Sequence, residues 1–209
     1  FNPNLSVYQY TSFIPGSSTY GQATPWVAAK HDPSYLFDTA FNFTNSISFA
    51  KGNDVSSFRL SYQNVNGTDI LPNTYLNKNS ITGNATYKLA DNLTATFYAT
   101  YVSQDTRGKN PTGYHGITGN FRQWWAVNVD LKDQKDLYMS SGKNYSWNIK
   151  SPTNIAPLYW DNPYFRLYEN YLTDSRQRFA GNVSLNYDVS KKINILARLS
   201  HDGYTYFLD

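Results

Sequence analysis

Residues 81–101 read Ile81-Thr-Gly-Asn-Ala-Thr-Tyr-Lys-Leu-Ala-Asp-Asn-Leu-Thr-Ala-Thr-Phe-Tyr-Ala-Thr-Tyr101. In the first half, Ile81, Gly83, Ala85, Tyr87 and Leu89 alternate with Thr82, Asn84, Thr86 and Lys88. In the second, Leu93, Ala95, Phe97, Ala99 and Tyr101 alternate with Thr94, Thr96, Tyr98 and Thr100. A period of two sends successive side chains to opposite faces of a strand, and the turn formers Ala90-Asp-Asn92 between the runs predict an antiparallel hairpin. The same pattern recurs on both sides of this hairpin. Phe41, Phe43, Ile47 and Phe49 share one parity, as do Phe58, Leu60 and Tyr62. Late in the chain Phe179, Gly181, Val183, Leu185 and Tyr187 do the same, followed by Ile193, Ile195, Ala197 and Leu199. The expectation is an all-β chain with about six antiparallel strands.

Composition agrees with sheet and loop. Aromatic residues make up 17% of the 209 residues and Tyr alone accounts for 19, while Glu occurs once, at Glu169. Such a balance suits a pleated surface better than a helix bundle. Charged residues are 16%, against roughly 25% in ordinary soluble domains. The absence of cysteine excludes disulfides and thiolate metal sites. A net charge of +3 with scattered basic residues gives no patch suited to nucleic acid. The chain starts at Phe1, and its single Met is Met139. It ends inside the strand-like run Tyr204-Thr-Tyr-Phe-Leu-Asp209, so a piece of a longer protein is expected.

Alternation alone leaves two architectures open. A soluble sandwich turns its apolar face inward. An outer-membrane barrel turns it toward lipid and its polar face toward the lumen. The connections favour the barrel. They run short at 51–54, medium at 66–73, short at 90–92, very long at about 105–172 and short at 188–191. Short turns on one side of a membrane and long loops on the other are the outer-membrane arrangement. The predicted fold is therefore a segment of an antiparallel transmembrane β-barrel, an open, curved sheet with long extracellular loops. Its apolar set, including Phe58, Leu60, Tyr62, Phe97, Leu185 and Ile195, would face lipid. Arg59, Gln63, Thr96, Asn186 and Arg198 would face the lumen. Residues 1–37, punctuated by Pro3, Pro15, Pro25 and Pro33, read as loop. Within the long connection, Asn120-Phe-Arg-Gln123 has the form of a capping box and predicts one helix, with Phe121, Trp124 and Trp125 near one face.

The order of several short motifs resembles a known family. Phe58-Arg-Leu-Ser-Tyr62 is followed by Gly67-Thr-Asp-Ile-Leu-Pro-Asn73, Asn79 and Tyr87-Lys-Leu89. Then come Tyr159-Trp-Asp-Asn-Pro-Tyr164, Tyr168-Glu-Asn-Tyr171 and the strand Arg176 to Tyr187. Together they resemble the barrel of SusC/RagA-type TonB-dependent transporters over roughly residues 10–206. The resemblance implies a Bacteroidetes-type outer-membrane protein whose barrel has about 22 strands. Such a transporter imports oligosaccharides or peptides with energy from the TonB complex and pairs with a SusD-like surface lipoprotein. Residues 1–209 would then be part of the barrel domain, without the plug domain and the remaining strands. The competing class is a secreted or surface β-sandwich that binds carbohydrate.

No catalytic or cofactor signature is evident. His31, His115 and His201 lack zinc-site spacing. Asp130, Asp133 and Asp136 alternate with Lys132 and Lys135, as a solvated helix face does. A glycosidase would need two carboxylates across a cleft, and Glu169 with Asp161 or Asp174 is a poor source of them. The Asn-x-Ser/Thr triplets at Asn42, Asn84 and Asn182 fall on predicted strands and are not read as glycosylation sites. The candidate contacts with substrate or lipoprotein are aromatic: Trp124, Trp125, Tyr159, Trp160, Tyr164 and Tyr168. Such rings stack on sugars and cover apolar peptide side chains while their polar tips stay hydrogen-bonded. They also serve simply to pack a long loop, and the sequence leaves both roles open.

Overall fold

The computed structural model describes residues 9–109, 111, 113, 114 and 116–209. His115, one of the three histidines considered above, and the start of the predicted N-terminal loop lie outside the described residues. In chain order the strands are β1 (Gln9–Thr11), β2 (Ala23–Pro25), β3 (Phe41–Gly52), β4 (Ser56–Thr68), β5 (Tyr75–Ala90) and β6 (Leu93–Arg107). After helices α1 (Ile117–Gln123) and α2 (Leu131–Ser141) come β7 (Ile149–Ser151) and β8 (Asn154–Pro157). Helix α3 (Pro163–Glu169), β9 (Thr173–Ser190) and β10 (Ile193–Leu208) complete the chain. It is mostly antiparallel β, and it divides into two compact units.

One unit is a six-stranded antiparallel sheet in the order β10-β9-β6-β5-β4-β3. The quoted hairpin lies at its centre as β5 and β6, with Tyr87 opposite Ala95 and Ile81 opposite Tyr101. The 68-residue separation of Thr106 and Asp174 is bridged by pairing of β6 with β9, which sets Phe97 opposite Val183. The register carries the alternation across all six strands. Phe49, Leu60, Gly83, Ala99, Gly181 and His201 form one such row, and Ile47, Tyr62, Ile81, Tyr101, Phe179 and Gly203 the next. One face of the sheet is thus apolar along several rows. The opposite face carries Arg59, Gln63, Thr96, Asn186 and Arg198, in the division expected.

The strands run further than their alternation suggested. Beyond the row of Tyr62 and Tyr101, the apolar face becomes polar through Asn45, Asn64, Asn79, Ser103, Gln177 and Thr205. Asn64 Nδ2 donates to Asn79 Oδ1 at 2.9 Å, and the Tyr62 hydroxyl donates to the same oxygen at 2.7 Å. With both faces polar, no sequence periodicity distinguishes these extensions from loop. Turns 53–55, 91–92 and 191–192 join strands at one end of the sheet, while connections 69–74 and 108–172 leave from the other. Asn53 Oδ1 closes one tight turn by accepting from the Val55 and Ser56 amides at 2.9 and 2.7 Å.

The second unit contains residues up to 40, 69–74 and 108–171. Among the described residues it holds every buried large apolar side chain, including Leu36, Leu71, Ile117, Leu131, Tyr138, Tyr164 and Leu167. The single predicted helix is here replaced by three. Helix α1 starts at Ile117 and ends at Gln123, so Asn120 lies at its middle instead of capping its start. Asn120 is buried, and its carbonyl accepts the amides of Trp124 and Trp125 at 2.9 and 3.0 Å. The capping signal that operates is Asp130, whose Oδ1 accepts the Lys132 amide at 2.9 Å at the start of α2. This helix buries Leu131, Gln134 and Tyr138 and stops at Gly142, a left-handed residue with φ 63° whose amide donates to the Tyr138 carbonyl. The N-terminal loop also contains β1, β2 and a tight helical turn at Pro33–Leu36, capped by Asp32. Hydrogen bonding to Ser34 holds the Asp32 carboxyl below its ordinary value. Among the described residues no helix is long and apolar enough to cross a membrane, which says nothing about crossing by strands.

Candidate functional site

The helical unit separates the six predicted contact aromatics by burial. Tyr164 is 1% exposed and belongs to the core; burial raises its hydroxyl's proton affinity. Trp160 is 7% exposed, and its carbonyl accepts the Ser146 hydroxyl. Tyr168 stacks on Tyr138 at 5.6 Å, against the core. Trp125 also packs there, edge-on to Phe121 at 5.0 Å and to Trp147 at 5.3 Å. Trp124 and Tyr159, at 50% and 79% exposed, present open ring surface. Tyr114 lies 6.1 Å from both Trp124 and Trp160.

A hub of uncharged polar groups fixes this arrangement. Asn162 is fully buried at the start of α3, and its Oδ1 accepts the Tyr164 amide at 2.9 Å. Its Nδ2 donates to the carbonyls of Gln134 at 2.8 Å and Tyr145 at 3.0 Å. One side chain therefore ties α2, α3 and the segment between them. The 69–74 connection joins the same unit through buried Leu71 and through Asn73, a non-glycine residue at φ 60°. Asn73 Nδ2 donates to the Leu167 carbonyl at 2.8 Å. Asn suits such a position because its short polar side chain tolerates left-handed backbone.

A groove of about 380 Å³ in this unit is walled by Phe13, Ile14, Val129, Trp147 and Ile149, with Asn128 and Lys150 at its polar side. The Trp147 Nε1 atom is buried and has no hydrogen-bond partner among the described residues. The groove has no local signature in the sequence, because Phe13 and Trp147 meet only through the tertiary fold. Separately, the polar face of the sheet has a shallow depression of about 280 Å³ beside Ser46, Ser48, Arg59, Ser61, Ser80 and Thr82. There Arg59 Nε donates to Ser61 Oγ at 3.3 Å, and the Thr82 and Thr100 hydroxyls pair at 3.0 Å.

Most of the acidic residues of the sequence analysis have structural partners. Asp130 meets His31 Nδ1 at 3.0 Å and accepts the His31 amide at 3.2 Å. Burial pushes the Asp130 carboxyl up, but hydrogen bonds from His31 and the Lys132 amide outweigh it, so the carboxyl sits below its ordinary value. Asp133 is pushed up by burial and by the neighbouring carboxylates of Asp130 and Asp136. Asp136 pairs with Lys132 one helical turn away. Glu169 accepts the Tyr138 hydroxyl at 2.7 Å, and burial together with this carboxylate pushes Tyr138 up to about 12. Asp161 accepts Asn144 Nδ2 at 2.7 Å, and Asp174 accepts the Thr106 hydroxyl at 2.6 Å. Among the described residues no three His or acidic groups gather as metal ligands would. No protein-family model matches the chain, and none of the curated proteins matches it.

Proposed function

We propose that the chain is a segment of an outer-membrane β-barrel, part of a SusC/RagA-type TonB-dependent transporter that imports oligosaccharides or peptides. The observation that carries the reading is the sheet's apolar face, whose large side chains are exposed among the described residues. Leu60 is 53% exposed and Leu199 79%. A typical soluble monomer leaves no contiguous apolar patch beyond roughly 300–600 Å², whereas lipid tails cover such a face on a barrel. The chemistry at the band's two edges supports the same reading. Tyr87 and Tyr187 lie near the short turns, and Tyr62, Tyr101 and Phe179 form the last apolar row on the side of the long connections, mid-strand in β4. From Phe179 to Tyr187 the strand spans roughly 27 Å at about 3.4 Å per residue. Barrels carry an apolar band about 25 Å tall between aromatic girdles. The asparagine row begins where that band stops.

In this reading edge strands β3 and β10 pair with further strands of the same barrel, since an unpaired edge is not tolerated in lipid. The segment is non-catalytic. The polar face lines the substrate path, connections 69–74 and 108–172 leave the sheet on the extracellular side, and a SusD-like lipoprotein is the partner there. Trp124, Tyr159 and the Trp147 groove are then the surfaces offered to substrate or lipoprotein. A carbohydrate-binding sandwich would hide one sheet face in a dry core, and the exposed apolar rows weigh against it.

The test uses single cysteines, which this chain otherwise lacks. Leu60→Cys and Phe97→Cys in the intact protein should resist a water-soluble maleimide in native membranes and react with a lipid-dissolved one. Thr96→Cys and Asn186→Cys should behave the opposite way. Equal aqueous labelling of both sets would sink the barrel reading.

A further inference from the structure

The polar face carries a concentration of positive charge that its own acids do not neutralise. The register sets Lys78 opposite Gln104, Gln104 opposite Arg176 and Arg176 opposite Tyr206. With Thr44 and Val65 these complete one row across six strands, and the row holds two cations and no acid. Lys78, Val102, Gln104, Arg176 and Arg178 enclose a cavity of about 130 Å³. Strands are spaced about 4.8 Å apart, so Lys78 and Arg176 spring from backbones roughly 10 Å apart with Gln104 between them. Both side chains are long enough to converge above it.

The surrounding charges are already engaged. Arg178 Nε donates to Asp202 Oδ1 at 2.9 Å, and its Nη2 bonds the other oxygen of the same carboxylate. Asp174, one row further on, takes the Thr106 hydroxyl. Arg176 instead stacks its guanidinium on the Tyr204 ring, 4.7 Å from the centroid. Stacking occupies the flat face of a guanidinium and leaves its N–H edge free to donate two parallel bonds to an oxyanion. Lys78 adds a point charge, and the Gln104 amide adds a neutral donor.

We propose that Lys78, Gln104 and Arg176 form an oxyanion site on the substrate path, so that the transporter takes cargo bearing a carboxylate, sulfate or phosphate group. The inference rests on the transporter reading above, which makes this face the wall of that path. The bound group sits between the two cations, with Arg176 as its fork-shaped partner. Neutral cargo of equal size gains nothing there.

The test compares matched probes that differ only in charge, using the full-length transporter in detergent. Oligogalacturonate is set against its methyl ester, and a Glu-containing peptide against its Gln twin. Inorganic phosphate serves as the free anion, and the arms separate acidic sugar, acidic peptide and free anion as sources. At least one charged organic probe should bind about tenfold or more tighter than its neutral twin, as expected for hydrogen bonds to a charged group. A Lys78→Gln/Arg176→Gln variant should bring that ratio close to one, while Lys192→Gln, in the short turn at the other end of the sheet, should leave it unchanged. No charge preference in the wild type, or a preference that survives the double variant, overturns the proposal. Heat-modifiable gel mobility of the same samples scores the barrel separately. A folded barrel without charge selectivity defeats this inference alone, and a chain without barrel mobility defeats the transporter reading.

Discussion

At the residue scale, Asp130 shows how one side chain serves two structures. It caps α2, and it binds the backbone and ring of His31. Its carboxyl is held below the ordinary value, so the folded state favours the ionised form. That contribution is fully present above the unfolded value of about 3.9 and is lost as pH falls through the lower folded value. The amide protection factors in α2, which divide out the intrinsic exchange rate, should therefore fall below about pH 4. Asp130→Asn keeps the cap and should flatten that acid dependence. Asp130→Ala also removes the cap and should cost about 1 kcal/mol more at neutral pH. Equal exchange profiles for Asp130→Asn and wild type through the acid range would refute the linkage.

At the element scale, α3 depends on Asn162 more than on its own seven residues. A helix this short is marginal alone, because nucleation costs more than a few hydrogen bonds return. The side chain of Asn162 supplies its N-cap and holds two carbonyls contributed by Gln134 and Tyr145. Asn162→Ala removes the cap and leaves both carbonyls short of a donor in a buried setting. The expected cost is about 2–4 kcal/mol, the cap plus the unmet acceptors. Limited proteolysis should then cut within 131–171 faster than in wild type while the strands remain protected. Unchanged cleavage would mean that α3 is held by its core contacts alone. Asp would restore the cap but not the two donations, so Asn162→Asp should recover little.

At the scale of the whole molecule, the question is which aromatic rings meet something outside the chain. Trp124 and Tyr159 are exposed, whereas Trp125 packs against the core cluster. Trp124→Ala and Tyr159→Ala together should weaken substrate uptake or lipoprotein co-purification without loosening the helical unit. Binding hot spots of this type typically lose about 2 kcal/mol or more on truncation. Trp125→Ala should do the reverse, destabilising the unit by about 3–5 kcal/mol, the usual range for a large core ring, or less because this ring is only partly buried. Uptake, co-purification and protease resistance measured on both variants separate the roles. A double variant with normal uptake and normal co-purification would leave the exposed rings without a function.

Local pattern alone specifies the six long strands, their short turns and which parity is apolar, because a period of two is a property of neighbouring residues. It could not reach the strand extensions through Asn77, Asn79, Ser103 and Gln177, where both faces are polar and the alternation vanishes. Nor could it fix the helices, since Asn120 and Asp130 both carry capping chemistry, and packing around Leu131 and Tyr138 decided between them. For the aromatics, residue type alone was blind to burial. Tyr164 and Tyr159 belong to one short motif, yet Tyr164 is in the core and Tyr159 in the open. Only the tertiary structure set Lys78 and Arg176 in one row. Strand register across a 98-residue separation follows from pairing through β6, which no local pattern records.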